Sequence, residues 1–380
     1  MKRIKLLYGL EASGGGALKH VVYLATRLNK EIFDITVILS GSRNENIKDQ
    51  IKKMAHEGVK VLIIPMSRSI NPVSDLLVFF KLAFLINREK YDIVHAHSSK
   101  AGALFRLAAF VCGVRKIYYT PHCFYFQGKK GFKKEGFVIL EKLLGTITTG
   151  IIVSENEQQW ARHNHVIVNT KIININNAID FDEYRQNIEI EKTKISWGID
   201  PGSSIVGAIG RLTRQKDWKT YIYAASEVLK FYPKTVFLIV GEGELHSKIQ
   251  ELIFQLDLEG KVIITGYVKK IYKIYGIIDI FVNTSLWEGL PYVFLEAMQY
   301  EIPIVATDTG NETFIINKEN GFICARKDYH GIAKKIISLI KNRQMSVQMG
   351  INGNRAMQEK YSFSVFIQQH EHLYLQGTCQ

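Results

Sequence analysis

The chain has 380 residues, 47% of them apolar and 22% charged, which is ordinary globular composition, too long for one core and suited to two domains. Its net charge is +13, unevenly placed: residues 1–180 carry 26 Lys+Arg against 14 Asp+Glu, and residues 181–380 carry 23 against 22. That composition excludes intrinsic disorder, and the four scattered cysteines (Cys112, Cys123, Cys324, Cys379), with neither CxxC nor metal-ligand spacing, predict no disulfide and no structural zinc.

Lys2-Arg3-Ile4 leads straight into a strand, so no signal peptide is expected. Candidate strands follow at Ile4–Leu10, Ile35–Ser40, Val61–Pro65, Ile93–Ala96, Lys116–Thr120 and Gly150–Ser154, with amphipathic segments such as Leu18–Leu28 and Ala101–Val111 between them. The longest apolar run, Leu76–Ile86, is interrupted by Lys81 and is shorter than the ~20 residues that span a bilayer. The alternation pauses over Lys171–Tyr184 and restarts at Ser204–Gly210, Val236–Val240, Val262–Thr265, Ile278–Asn283 and Ile302–Ala306. This pattern predicts an α/β protein of two Rossmann-like, doubly wound domains, 1–180 and 181–360, with a cleft between them and a C-terminal helix in 361–380 packing back on the first domain. Ligands of such sheets sit at the carboxyl ends of the strands.

Several motifs fall at those ends. Strand Ile4–Leu10 runs into Glu11-Ala12-Ser13-Gly14-Gly15-Gly16, where glycines allow close approach of a phosphate or sugar; a tight turn without ligand is the rival reading. His95-Ala96-His97 has a spacing that metals use, yet no carboxylate or cysteine accompanies it, and no metal is expected. Thr120-Pro121-His122 ends the next strand and points to a substrate role for His122. Gly210-Arg211-Leu212-Thr213-Arg214-Gln215-Lys216 puts two cations, Arg211 and Lys216, at a strand end, where they can clamp a diphosphate. Gly241-Glu242-Gly243-Glu244 and Thr265-Gly266-Tyr267-Val268 close two further strands and would wall a base and ribose. The most informative stretch is Trp287-Glu288-Gly289-Leu290-Pro291, followed by Glu296 at the start of a predicted helix. Backbone N–H groups of Gly289 and Leu290 beside the Glu288 carboxylate suit a phosphate next to a polyol, that is, a nucleotide-sugar. Asp180-Phe181-Asp182 has the Asp-x-Asp form of metal-dependent sugar transferases but lies away from strand ends and is set aside as a decoy.

Lys129-Lys130-Gly131-Phe132-Lys133-Lys134 and the apolar residues after it read as an interfacial helix, so the basic half is expected to dock on an anionic membrane surface; a solvated basic face is the rival. Zinc-finger spacing, RNP-type aromatics and basic heptads are missing from the sequence, so nucleic acid is not an expected partner.

Together Glu288-x7-Glu296, Gly210-Arg211-Leu212 with Lys216, the glycine loop and Thr120-Pro121-His122 resemble the retaining glycosyltransferases of family 4, which have the GT-B fold. The run Asp92–Gly102 is similar to the CapM-like subgroup of capsular and exopolysaccharide transferases. The resemblance implies that Arg211 and Lys216 hold the donor diphosphate, Glu288 the donor sugar and Glu296 the ribose. It also implies contacts from Gly289, Leu290, Gly241, Tyr267 and Val268, an approach of Gly15 and Gly16 from the other domain, and His122 at the reaction centre. A UDP-linked donor, a polyprenyl-linked acceptor, no metal or other cofactor, and a cytoplasmic location on the inner membrane face complete the expectation. A synthase working on a soluble acceptor and a non-catalytic binder of anionic polymers are the alternatives. One departure is Asn176-Asn177-Ala178-Ile179-Asp180, where the family commonly has Pro-Asn-Gly-Val/Ile-Asp.

Overall fold

The computed structural model describes residues 2–11, 14–41, 47–67, 69–129, 131–166, 172–184, 188–309, 315 and 317–376. The chain divides into two units, one made of residues 1–177 and 364–380, the other of 178–363. Each is a parallel sheet covered by helices, and the continuous apolar strands follow from burial of both sheet faces.

The first unit has seven strands: β1 (Ile4–Leu10), β2 (Phe33–Leu39), β3 (Lys60–Ile63), β4 (Ile93–His97), β5 (Lys116–Thr120), β6 (Gly150–Val153) and β7 (Ile172–Asn174), in the order β3-β2-β1-β4-β5-β6-β7. Side chains alternate across the sheet. Leu7, Val94, Ala96, Ile117 and Tyr119 face a core built with helices Pro72–Glu89, Ser99–Val111 and Phe132–Thr146. Tyr8, His95 and Tyr118 meet Tyr374 of the terminal helix Phe363–Leu375. Helix Pro72–Glu89 begins where Asn71 accepts from the Ser74 N–H with Pro72 behind it, and ends at Lys90 in the left-handed region, φ 55°. Under the helical layer lies a buried ion pair. Arg106 donates to Glu141 at 2.7 and 3.1 Å and to the Gly102 carbonyl at 2.7 Å, with its guanidinium 3.9 Å over the Tyr119 ring.

The second unit has six strands, β8 (Ile205–Ile209), β9 (Val236–Val240), β10 (Val262–Gly266), β11 (Ile280–Asn283), β12 (Ile304–Thr307) and β13 (Gly321–Cys324), in the order β10-β9-β8-β11-β12-β13. The reversal of strand order falls between β8 and β11, where a doubly wound sheet opens its crevice. Helices Trp218–Phe231, His246–Gln255 and Tyr329–Lys341 supply apolar faces to this core through residues such as Tyr221, Ile249 and Ile332.

The α/β, doubly wound class is as predicted, and eleven strands lie where the apolar runs put them, within two residues at either end. Two strands correct the sequence reading. β7 occupies part of the stretch taken as a pause, and β13 was not predicted. Two helix starts are also corrected. The helix after β1 begins at Gly15, with Gly14 extended before it, so Gly15 and Gly16 form its first turn. The helix expected from Glu296 begins at Tyr292, because Pro291 fixes the backbone just ahead of it and Glu296 falls inside. Ala12, Ser13, Lys130 and Cys379 lie outside the described residues, as does the side chain of Asp182.

Candidate active site

In the second unit the ends of β8 and β11 are tied together. The Lys216 ammonium donates to Glu288 Oε1 at 2.5 Å, and the Ser285 hydroxyl donates to the same oxygen at 2.7 Å. Gln215 Nε2 donates to the Trp287 carbonyl at 2.9 Å and to Glu288 Oε2 at 3.4 Å, while the Leu286 N–H donates to the Gln215 carbonyl at 2.8 Å. Thr284 donates to the Lys216 carbonyl at 2.7 Å. With both charged side chains largely shielded (16% and 8% exposed), their geometry is set before any ligand arrives. Arg211, exposed, stands at the mouth of the same loop, which Trp218 anchors by donating from its indole to the Arg211 carbonyl at 3.1 Å.

Glycine is required where the neighbouring loops meet. Gly241 has φ 142°, and a Cβ there would lie 2.1 Å from the Gly210 carbonyl oxygen. Its N–H donates to the Gly266 carbonyl at 2.9 Å, bringing the β9 and β10 ends together. Tyr267 follows, 48% exposed, its N–H 3.3 Å from Glu242 Oε1; Val268 is half-buried. Gly289 and Leu290 are buried immediately before Pro291 and the helix Tyr292–Gln299. Inside that helix the buried Glu296 accepts from the Tyr275 hydroxyl at 2.5 Å. Burial first, and then the Glu296 charge, hold the Tyr275 hydroxyl well above its ordinary pKa, so it stays a donor. Glu288, Lys216, Gly289 and Leu290 thus sit on one stretch of strand ends, whereas Glu296 is one turn into the helix on Tyr275.

Sequence reasoning missed Gln215, Ser285 and Tyr275. Gln215 lies inside the Gly210–Lys216 motif, one residue before Lys216, and Ser285 falls between the strand ending at Asn283 and the Trp287–Pro291 stretch, three residues before Glu288; no spacing signal marks Tyr275.

In the first unit His122 is held at φ 51° and Cys123 at φ 82°, left-handed backbone that a non-glycine residue adopts only under constraint. The constraint is visible: Glu157, N3 of a capping box with Ser154, accepts the Cys123 N–H at 2.6 Å. His122 Nε2 meets His97 Nδ1 at 3.1 Å. The His95-x-His97 pair is accompanied by more than the sequence indicated. His20 has ring-centroid distances of 4.7 Å to His122 and 5.4 Å to His97, and His370 lies 5.7 Å from His20. His95 bridges Thr120 Oγ1 at 2.8 Å and the Tyr374 hydroxyl at 2.6 Å. His20 Nδ1 is 3.0 Å from Asn177 Oδ1. Desolvation lowers all five imidazoles, His122 to about 3, His370 to about 4, and the rest well below the ordinary value. These rings are neutral at pH 7. Gly15 and Gly16 are exposed at the helix start that carries His20.

Residues 14–183 match the family model described as Glycosyltransferase Family 4, and residues 189–356 match Glycosyl transferases group 1. A UDP-Gal:alpha-D-GlcNAc-diphosphoundecaprenol alpha-1,3-galactosyltransferase of Escherichia coli is 30% identical over 331 residues, 84% of this chain and 83% of that protein. The chain belongs to the family 4 glycosyltransferases. This glycosyltransferase is also 26% identical to the capsular polysaccharide biosynthesis glycosyltransferase CapM of Staphylococcus aureus, over 91% of each chain. Its fold matches that of Anabaena HepE, solved with UDP and glucose, with a TM-score of 0.84 at 19% identity over 98% of this chain and 99% of that one. The architecture is GT-B.

Proposed function

We propose that this glycosyltransferase moves a sugar, with retention of anomeric configuration, from a UDP-linked donor to a polyprenyl-linked acceptor in capsular or other cell-surface polysaccharide synthesis. The observation that carries the proposal is the Lys216–Glu288 pair, which joins a cation suited to a diphosphate and a carboxylate suited to sugar hydroxyls across adjacent strand ends. The printed names of relatives support the substrate classes: UDP-Gal and a diphosphoundecaprenol acceptor for the E. coli enzyme, a capsular polysaccharide for CapM. The HepE structures contain UDP or UDP-glucose.

In this reading Arg211 and Lys216 neutralise the charge that grows on the departing diphosphate, the main electrostatic term in such a transfer. The acceptor hydroxyl attacks the anomeric carbon on the face the UDP leaves. Its C–O bond forms as the sugar–phosphate bond breaks, and its proton passes to the departing phosphate oxygen. Glu288 positions the sugar and forms no covalent bond; Glu296, oriented by Tyr275, takes the ribose. Gly241, Gly289, Leu290, Tyr267 and Val268 line the donor, and His122 with Gly15 and Gly16 serves from the first domain. Metal is assigned no step.

The membrane side of the proposal rests on three helices covering one sheet face. Leu76, Phe80, Phe84, Phe110, Phe132 and Leu143 are all more than half exposed, and Lys81, Lys133, Lys134 and Lys142 lie among them in sequence. Apolar contact plus about 1 kcal/mol per basic residue near anionic lipid gives reversible, salt-sensitive docking. Among the described residues no helix is long and apolar enough to cross a membrane.

Calorimetric titration with UDP, GDP, ADP and NAD, each in EDTA and then in magnesium, tests the donor site. Metal-independent UDP binding, lost in Arg211→Ala and Glu296→Ala, is the expected result; binding of NAD alone, or of no nucleotide, overturns it. Flotation with vesicles containing anionic lipid tests the docking face, and flotation indifferent to lipid charge counts against it.

A further inference from the structure

We infer that His20, His97 and His122 form a binding site for one divalent transition-metal ion of the zinc class. The three residues come from separate elements: the helix Gly15–Arg27, the end of β4, and the strained turn after β5. Each offers one ring nitrogen, and the three atoms lie within 4.8 Å of one another. Around a tetrahedral zinc with bonds of 2.0–2.1 Å, ligand nitrogens are separated by about 3.4 Å. His97 Nδ1 and His122 Nε2 are already at 3.1 Å, so the set closes by small ring movements.

The chemistry of the set favours a metal over a proton. A ligating imidazole must be neutral, and His20 and His97 are 1% exposed or less, where a charged ring is penalised. The Asn177 carbonyl oxygen beside His20 Nδ1 accepts its N–H, leaving the Nε2 lone pair for a ligand bond; metal-bound histidines are commonly oriented this way. One proton lies between His97 and His122; when the ion binds, the ring that donates it carries it on its other nitrogen instead, so both rings ligate as neutral imidazoles and no net proton is released. Imidazole donors without a carboxylate select zinc, cobalt, nickel or copper over magnesium and calcium. Three histidines leave a fourth position open to water or to an oxygen ligand.

This inference is independent of the donor reading, because its residues belong to the first unit and the Lys216–Glu288 site to the second. Since His122 is a ligand, occupancy would withdraw it from any substrate, making the ion an inhibitor.

The test uses the full chain without a histidine tag, stripped with EDTA and titrated with Co2+ under calorimetric and visible-absorption readout. The expected result is one equivalent with a tetrahedral spectrum, displaced by Zn2+ and untouched by Mg2+. His20→Gln and His97→Gln should each weaken it more than about 100-fold, and Asn177→Ala by about 10–100-fold. UDP titration of the same variants reports separately on the second unit. X-ray absorption of the wild-type zinc complex counts imidazoles without any variant, so misfolding of a variant does not remove the test. No stoichiometric binding, undiminished binding in His20→Gln and His97→Gln, or fewer than three imidazoles around the ion overturns the inference.

Discussion

Acidification should unfold the first domain unusually early. His20, His95, His97 and His370 are each 1% exposed or less, and desolvation lowers the pKa of every one. A group whose folded pKa is depressed contributes stability that is complete above its unfolded value, here 6.5, and lost as pH falls toward the folded value. Between pH 7.5 and 5.5 the unfolded chain takes up protons at these sites that the folded chain refuses, which removes about 1.4 kcal/mol per histidine, or roughly 6 kcal/mol for four. His122, partly exposed and lowered to about 3, acts in the same direction. Glu157 opposes them: burial raises its pKa, so it gains stability as pH falls, but it is one proton against four. Domains are stable by about 5–15 kcal/mol, so most of the margin is gone by pH 5.5. Urea denaturation at pH 7.5, 6.5 and 5.5, read by pulse proteolysis with mass-spectrometric tracking of first-domain peptides, measures the loss. A change below about 1.5 kcal/mol, the work of a single histidine, would refute the reasoning.

Two further outcomes follow from buried pairs. Arg106→Met should destabilise the first domain by about 3–5 kcal/mol, because Glu141 is left charged and buried, whereas Arg106→Met with Glu141→Leu should restore most of that loss; a double-mutant cycle in urea checks it, and additive losses would contradict it. Tyr275→Phe removes a hydrogen bond to a carboxylate and should lower second-domain stability by about 1.5–3 kcal/mol while weakening UDP binding; differential scanning calorimetry and UDP titration check both, and two unchanged values would show that Glu296 does not depend on Tyr275.

Legibility in the sequence followed burial. β9 is an unbroken apolar run, and β1 beyond Lys5 and β11 up to Asn283 are nearly so, because both sheet faces are covered, and such runs are conspicuous. β7 and β13 are the outermost strands of their sheets; Ile172 and Ile173 are only half-buried, Asn174 is exposed, and β13 opens on a glycine, so neither shows the full pattern. In the candidate site, Lys216 and Glu288 stood out because each belongs to a local motif at a strand end. Their attachment to Gln215 and Ser285 needed the register of β8 against β11. The histidine cluster was illegible for a different reason. Only His95 and His97 are close in sequence, two apart on one strand and hence on one face, while His20, His122 and His370 arrive through topology.

The route of the backbone has a consequence for how the molecule is made. Residues 178–363 form the whole second unit, whereas the first unit is finished only by residues 364–380. A ribosome adding about 5–20 residues per second therefore spends roughly 10–40 s on the intervening 186 residues before the last helix can emerge. For that interval the nascent first domain lacks Phe366, His370 and Tyr374, and the sheet face bearing Tyr8 and His95 waits without its lid. Birth order is thus inverted relative to sequence order: the second half can complete its fold first, and premature termination anywhere before residue 364 strands the first half unfinished.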